Sequence, residues 1–368
     1  MHFNFNSLAA LTPNWESIKQ STKLFFAESP VFNPLPSIEN VEGLPAEFSN
    51  FAGHYRQYIL PNVERFEQNR ITKLNEFRYR LWGATAGTVL VIFIASIVLK
   101  FSSLRAGGDV IFGLGAMAIS GIAYWASGPI QKYKEGVKAE IFPFIFSYFA
   151  QQNIGEFFYN QNSPIMISQF QDSDILPAYD NCHLEDYVKG EYNNVSLETL
   201  EAKMTQTRGS GKNRRTVVTF KGIFIRLSMN KSFHGHTIIK KDGGKIGNWF
   251  TDKFSKGNEK QRVALEDPQF EKLFEVYGSD QVEARYLLTP SFMERLMKIS
   301  DLFESKGIQA ALYNKHLLLM IPTLQDRFEV ASIFTPATFQ DEIVHILQEM
   351  QQLFSLIELL KLQENTRL

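Results

Sequence analysis

The stretches Leu81–Leu99, LWGATAGTVLVIFIASIVL, and Val110–Ile130, VIFGLGAMAISGIAYWASGPI, carry no charged residue and stand ten residues apart in a chain of otherwise mixed composition. A bilayer core of about 30 Å is crossed by about 20 residues of helix. Every backbone polar group in lipid must also be bonded within its own segment, so each run is expected to span once as a helix. The loop from Lys100 to Asp109 is long enough only to turn. A soluble helical hairpin would need a polar face, which neither run supplies.

The flanks set an expected orientation. Arg65, Arg70, Lys73, Arg78 and Arg80 precede the first run and Lys132, Lys134 and Lys138 follow the second, against Lys100 and Arg105 in the turn. The positive-inside bias then places both termini in the cytoplasm. Tyr79 and Trp82 enter the first run at the level where Tyr124 and Trp125 leave the second, where amphipathic rings favour the headgroup zone. No cleavable signal peptide is expected, because the start, MHFNFNSLAALTPNW, lacks a basic leader and a long apolar run. The expected location is a bacterial inner membrane.

Of the 368 residues, about 40 lie in the two runs, and over 200 follow them, enough to bury a core. The net charge is −1, and a single cysteine, Cys182, excludes an intramolecular disulfide or a cysteine zinc cluster, as suits a reducing compartment. The organisation expected is an N-terminal cytoplasmic segment over 1–60, a stalk helix over 61–80, spans over 81–99 and 110–130, a helical stalk and linker over 131–178, and an α+β domain over 179–368.

Pro13, Pro30, Pro34, Pro36 and Pro45 limit the first 50 residues to brief helices. Val63, Phe66, Ile71, Leu74 and Phe77 form a stripe leading into the first run, and Val137, Ile141, Phe144, Ile145 and Tyr148 form another after the second, interrupted by Pro143. The two stalks are expected to pack on each other. Val195–Leu200, Thr216–Leu227 and His236–Lys240 are rich in β-branched and aromatic residues between turn signals, and read as antiparallel strands. Gln309–Tyr313 and His316–Ile321 read as a hairpin about Asn314-Lys315. A helix is expected from Pro290 through Phe303, and a last amphipathic one holds Phe339, Ile343, Ile346, Leu347, Met350, Phe354, Ile357 and Leu360 on one face. Strands grouped with helices without regular alternation indicate an α+β class: an antiparallel sheet with helices behind a two-helix hairpin.

Charge is uneven in this portion. Residues 203–262 carry 15 Lys and Arg against three acids, whereas residues 263–368 carry 9 basic against 16 acidic side chains. Held near an anionic leaflet, each basic residue could contribute ~1 kcal/mol of attraction. Lys212, Arg214, Arg215, Lys240 and Lys241 are the expected ligand-binding residues, with anionic lipid as ligand. Nucleic acid is disfavoured by the strand-rich alternation and the tether.

LEDPQFEKLFEVYGSDQVEARYLLTP, Leu265 to Pro290, closely resembles the central block of a bacterial two-span membrane-protein family catalogued as domain of unknown function number 3137. Tyr179-Asp180 with DYVKG (186–190), FKGIF (220–224) and NKSFHGHT (230–237) match in the same order. The resemblance covers roughly Tyr179 to Glu329. It implies a hairpin-anchored cytoplasmic domain, supplies no reaction, and points to a LemA-type membrane protein as partner. By its residues, Phe274 and Val276 suit a strand ending at Gly278, and Asp280 can cap a helix from Gln281. Tyr179, Asp186, Asp280, Glu283 and Arg285 are then either a polar pocket or a cap and ion pairs locking a strand-to-helix corner. Gly222 and Gly235 are expected at close backbone approaches.

Sharper motifs fail. His234-Gly235-His236 has no accompanying ligand cluster, GSGKN (209–213) lacks the first glycine and the Ser/Thr of a phosphate loop, and no Gly-x-Ser-x-Gly elbow is present. Gly83 and Gly87 form a Gly-x-x-x-Gly pair that suits packing within the hairpin or a homo-oligomer. No cofactor or metal is expected. The leading functional expectation is a non-enzymatic scaffold or adaptor for a protein partner; the alternative is an enzyme acting on a lipid or phosphorylated substrate.

Overall fold

The computed structural model describes residues 15–27, 41–101, 108–230, 233–241, 260–305, 307–323, 327–330, 332–360 and 362. The chain is α+β and divides into two compact units, one from residues up to 41, 52–140 and 330–340, the other from 42–51, 141–329 and 341–368. The turn signal at 242–244, the proline-rich stretch 28–40 and the tight turn at 102–107 lie outside the described residues.

The first unit is helical. Helix α1 is Trp15–Phe26; α2, Phe51–His54, passes through a π-helical turn, Tyr55–Ile59, into α3, Leu60–Phe101; α4 is Gly108–Gln151. Both α3 and α4 are long and apolar enough to cross a membrane, and almost none of their most apolar stretch is buried in protein. Val89, Leu90, Ile92, Phe93, Phe112 and Leu114 are all exposed. The core helix of a soluble protein would bury such side chains.

Gly83 and Gly87 serve the hairpin itself. A Cβ at Gly83 would stand 3.3 Å from the Trp125 ring and one at Gly87 3.3 Å from Ile122, so the small-residue spacing is used between α3 and α4. Helix α4 runs unbroken through Pro129 and Pro143, although proline removes an amide donor and orphans the carbonyl four residues earlier. For Pro129 that carbonyl is Trp125, and Arg80 Nη1 of α3 donates to it at 2.7 Å. The guanidinium also lies over the Trp125 ring, 5.2 Å from its centroid. Gly128 makes the approach possible, because a Cβ there would fall 2.8 Å from Arg80 Nη1.

Below the apolar run, the stalk of α3 carries Val63, Phe66, Leu74 and Phe77 inward, with Tyr133 and Val137 of α4 also buried. An Arg65–Glu140 ion pair at 2.8 Å joins the two stalks. The stretch 332–340 is strapped to α3. Phe66 packs edge-on to Phe339 at 5.3 Å, Phe77 lies 6.2 Å from Phe334, and the Tyr55 hydroxyl donates to the Thr338 carbonyl at 3.0 Å. Beneath these rings Arg70 and Glu67, 2% and 7% exposed, form a forked ion pair at 2.9 and 2.6 Å. Arg70 Nη1 donates to the Ile333 carbonyl at 2.7 Å and the Ala337 amide donates to Glu67 at 2.9 Å. Burial would raise the Glu67 carboxyl, but its bonds from Arg70 and Ala337 outweigh that and hold it below its ordinary value.

The second unit is built on a nine-stranded antiparallel sheet of order β1-β2-β3-β4-β9-β8-β5-β7-β6. The strands are β1 Phe157–Asn162, β2 Asn181–Tyr192, β3 Val195–Arg208, β4 Arg215–Ser228, β5 Thr237–Lys241, β6 Gln261–Arg262, β7 Phe274–Gly278, β8 Gln309–Tyr313 and β9 His316–Pro322. The helices are α5 Pro268–Leu273, α6 Gln281–Leu287, α7 Pro290–Leu302 and α8 Gln340–Leu360.

Two hairpins close on two-residue turns, Asn193-Asn194 and Asn314-Lys315, with all four residues at positive φ between 49° and 63°. That conformation matches the twist of the flanking strands, which is why asparagine sits there. Thr289 accepts the Phe292 amide at 3.3 Å and Pro290 occupies the first turn of α7. One face of the sheet carries Leu200, Met204, Phe224, Leu318 and Met320, covered by Phe170 and Ile175 from a 3₁₀ segment, Ile167–Ser173, and its exit. On the other, Glu201 of β3 accepts the Arg327 amide at 2.6 Å, and Arg327 pairs with Glu349 of α8 at 2.7 Å.

Sequence pattern places β3, β4, β5 and β7 to β9 but misses β1, β2 and the two-residue β6. Strand β1 comes from within the stretch assigned to stalk and linker, and β2 precedes the first strand read from composition. FFYNQN is too short and polar to show a period, and β2 is broken by a bulge between Glu185 and Val188, which erases its alternation. Pro143 does not end its helix, because α4 continues to Gln151.

Candidate functional site

The corner after β7 forms as its sequence suggests. Gly278 ends the strand, and the Asp280 side chain accepts the amides of Val282 and Glu283 at 2.8 and 3.0 Å, capping α6. Glu283 then reaches back to the loop before β5. Its carboxylate accepts the His234 amide at 2.8 Å and the Gly235 amide, while Ser279 Oγ accepts the His236 amide at 2.9 Å. A Cβ at Gly235 would displace the Glu283 carboxylate from its place against these amides. Gly222 has the same role in β4, where a Cβ would strike the Ile321 carbonyl.

Ion pairing does not lock this corner. Arg285 is exposed and reaches the Ala264 carbonyl and Gln281 Oε1, both at 3.3 Å. The two acids instead bond to backbone amides, the arrangement of a brace.

Asp186 lies elsewhere. It stands in the bulge of β2 at φ 52°, is 3% exposed, and accepts the Tyr159 hydroxyl of β1 at 2.5 Å. Burial first, then the Asp186 charge, drives the Tyr159 phenol far above its ordinary value, so the phenol keeps its proton. Strands β2 and β7 are six places apart in the sheet, and the corner is separated from Asp186 by that width. Tyr179 is half-buried at the rim of the apolar cluster under Phe170. The structure thus joins Asp280 with Glu283 and leaves Asp186 apart.

The basic residues divide as well. Lys240, expected as a surface contact, is 6% exposed within β5 opposite Glu275, so it is part of the sheet's interior. Lys241, the next residue, faces the other way and lines a groove of about 870 Å³ with Leu273, Met297, Lys298, Asp301 and Ile308. Arg214 and Arg215 are exposed at the tip of the β3–β4 hairpin; the side chain of Lys212 lies outside what is described.

This hairpin projects past its neighbours. Strand β2 stops pairing with β3 at Thr205, and β9 stops pairing with β4 at Gly222, so Gln206–Arg208 and Arg215–Val217 continue as a two-stranded ribbon with Val218 at its base. At about 3.4 Å per residue the tip stands roughly 10 Å beyond β2. Asp180 braces the base: its amide donates to the Thr205 carbonyl at 2.8 Å and its carboxylate accepts the Thr207 amide at 2.6 Å. Arg208 and Arg215 are direct cross-strand partners, a like-charge pairing that destabilises a hairpin. Val218, 57% exposed, lies on the same ribbon.

Three buried polar groups were not legible in the sequence. The Glu67–Arg70 clamp holds the strap. Arg327, 8% exposed, pairs with Glu349 and Gln352 and lies 5.0 Å from the Phe303 ring. Burial pushes the Glu349 carboxyl up, against the pull of Arg327. His236 contacts the Ser173 carbonyl at 3.0 Å and stacks on Tyr313 at 5.5 Å, while Lys260 bonds Asp174 beside it. An i,i+3 acid–arginine pair in an apolar stripe was the single hint, at Glu67 and Arg70. Burial pushes the Cys182 thiol up to about 11, which leaves it unreactive at neutral pH. Among the described residues no group of three or more His, Cys, Asp or Glu could hold a metal ion.

A solved structure, the mycobacterial trehalose monomycolate transport factor A, is similar at 11% identity and a TM-score of 0.30, over 59% of this chain and 93% of its own. No curated protein matches. The family model described as "Protein of unknown function (DUF3137)" matches residues 218–362. That match begins later than the resemblance of the conserved-looking blocks and extends through α8, so it takes in β4 to β9 and the helices among them. Over residues 218–362, then, this chain is similar to the DUF3137 family.

Proposed function

We propose that the chain is a bacterial inner-membrane protein anchored by α3 and α4, both termini cytoplasmic, and that its α+β unit is a non-enzymatic adaptor binding a protein partner. Anionic lipid of the inner leaflet assists that contact. The observation that carries the reading is the basic ribbon. Its tip places Arg208 opposite Arg215 with Arg214 beside them, a local cost that an anionic surface offsets. Among the described residues no strand pairs with the outer edge of β4 from Arg215 to Phe220, which can offer backbone groups to an extended segment of a partner. The carboxylates of the corner are committed to backbone amides, which favours binding over catalysis there.

The test is affinity purification of the full chain from native membranes, with protein and lipid identification, for wild type and for Arg208→Gln/Arg214→Gln/Arg215→Gln. A protein enriched by wild type and lost from the triple variant, in a salt-dependent way, supports the reading. An identical set of partners in both refutes it. Reporter fusions at residue 1, at Ser102-Ser103 and at residue 368 should read in, out, in, and a periplasmic terminus would refute the orientation.

A further inference from the structure

The last turn of α1 ends on the entrance to the apolar run of α3. The carbonyls of a helix's last turn lack intrahelical donors, and α3 supplies two here. Trp82 Nε1 donates to the Phe25 carbonyl at 3.2 Å and Arg78 Nη2 donates to the Ala27 carbonyl. The Phe25 ring lies 5.6 Å from Trp82 and 5.0 Å from Phe26, and Leu24 is fully buried. This docking leaves the opposite side of the helix uncovered. Phe26 is 79% exposed, next to Trp82 at 53% and Tyr79 at 75%. Thr22 and Ile18, one and two turns back from Phe26, are exposed too, flanked by exposed Lys19 and Lys23.

We infer that α1 is an interfacial anchor: its exposed Ile18–Phe26 stripe, with Tyr79 and Trp82, seats in the headgroup zone of an acidic phospholipid surface, and Lys19 and Lys23 meet the phosphates. The inference rests on the membrane reading above. Three features select lipid as the occupant. The aromatic cluster is continuous with the exposed apolar surface of α3 at Val89, Leu90 and Phe93, which itself needs lipid. Its composition, aromatic and aliphatic residues on one stripe with lysines beside it, is that of a helix lying in the interface. Trp82 and Tyr79 belong to the belt that Tyr124 and Trp125 complete on α4, and α1 is bonded at that level. Each lysine held near an anionic surface favours the bound position about fivefold.

The experiment uses the full chain with Cys182→Ser, one copy per nanodisc of mixed neutral and acidic phospholipid. An environment-sensitive dye is placed at Phe26→Cys and, separately, at Phe93→Cys. The dye at 26 should be quenched by a nitroxide near the headgroup and become several-fold less accessible to iodide than in detergent. The dye at 93 should be quenched by a nitroxide at the bilayer centre. Quenching at 93 with iodide access at 26 unchanged overturns the inference and leaves the membrane reading standing. Absence of quenching at 93 overturns both. Protection at 26 that needs two copies per disc assigns the stripe to a second copy of the chain and overturns the lipid assignment. Lys19→Gln/Lys23→Gln should reduce shallow quenching at 26 in acidic discs, and equal quenching by that variant would remove the lysines from the site.

Discussion

Replacing Arg70 by methionine tests the strap most directly, because the substitution keeps the volume of the stem and removes the fork. Glu67 would remain 7% exposed with the Ala337 amide but without its counter-ion, and the Ile333 carbonyl would lose the 2.7 Å donor. Breaking a buried pair by deleting one partner costs about 3–5 kcal/mol, and a buried carbonyl left unpaired adds about 1–3 kcal/mol. Even the lower bound of about 3 kcal/mol corresponds to roughly a 10²-fold shift in a local opening equilibrium. Hydrogen exchange of residues 332–340, measured by mass spectrometry on the full chain in nanodiscs, reads that equilibrium through the Ala337 amide. Exchange should accelerate by about two orders of magnitude there, with little change in β3 and β4. The damage of Glu67→Leu with Arg70→Met should be smaller than the sum of the single effects, since no isolated charge is left. Because Glu67 titrates below its ordinary value when folded, its contribution is present above the unfolded value of 4.5 and is lost as pH falls through the folded one. Exchange of the strap that changes less than threefold in Arg70→Met would refute the clamp.

Arg80→Leu should destabilise the α3–α4 pair by leaving the Trp125 carbonyl unpaired, about 1–3 kcal/mol, and Pro129→Ala, which restores the amide, should recover much of it; thermal unfolding in nanodiscs checks both, and no recovery would refute the account. At the corner, Glu283→Ala should cost about 1–3 kcal/mol because two amides lose their acceptor, whereas Arg285→Ala, an exposed residue, should stay within about 0.5 kcal/mol, and a reversed order in denaturant unfolding would show that the brace is misassigned. His236 is held below its ordinary value of 6.5 mainly by burial and then by Lys260, which outweigh the Ser173 carbonyl at its Nε2 and Asp174 near its other nitrogen. Its stability contribution is therefore present above 6.5 and lost as pH falls through the folded value, so exchange at 170–175 should rise in that window and the rise should vanish in His236→Gln.

Local signals carry far in this chain. The uncharged runs at 81–99 and 110–130 mark two helices long and apolar enough to cross a membrane, because neither run carries a polar face. Asn193-Asn194, Asn314-Lys315, Thr289-Pro290 and Asp280 fix turns and caps by short-range chemistry, and the strands and helices beside them follow. The block Leu265–Pro290 lies within the stretch that the family model matches. What sequence leaves open depends on partners distant along the chain. Glu67 and Arg70 read as stalk charges until the 332–340 stretch folds over them, about 265 residues later. Lys240 reads as a surface lysine until β7 and β8 flank it, and Asp186 and Glu283 look alike until the strand order sets them six places apart. Arg80 is one more basic flank until Pro129, on another helix, orphans a carbonyl for it to fill. Caps and turns are satisfied within a few residues and so are written locally, whereas burial of a charge is decided by whatever the tertiary fold brings across it.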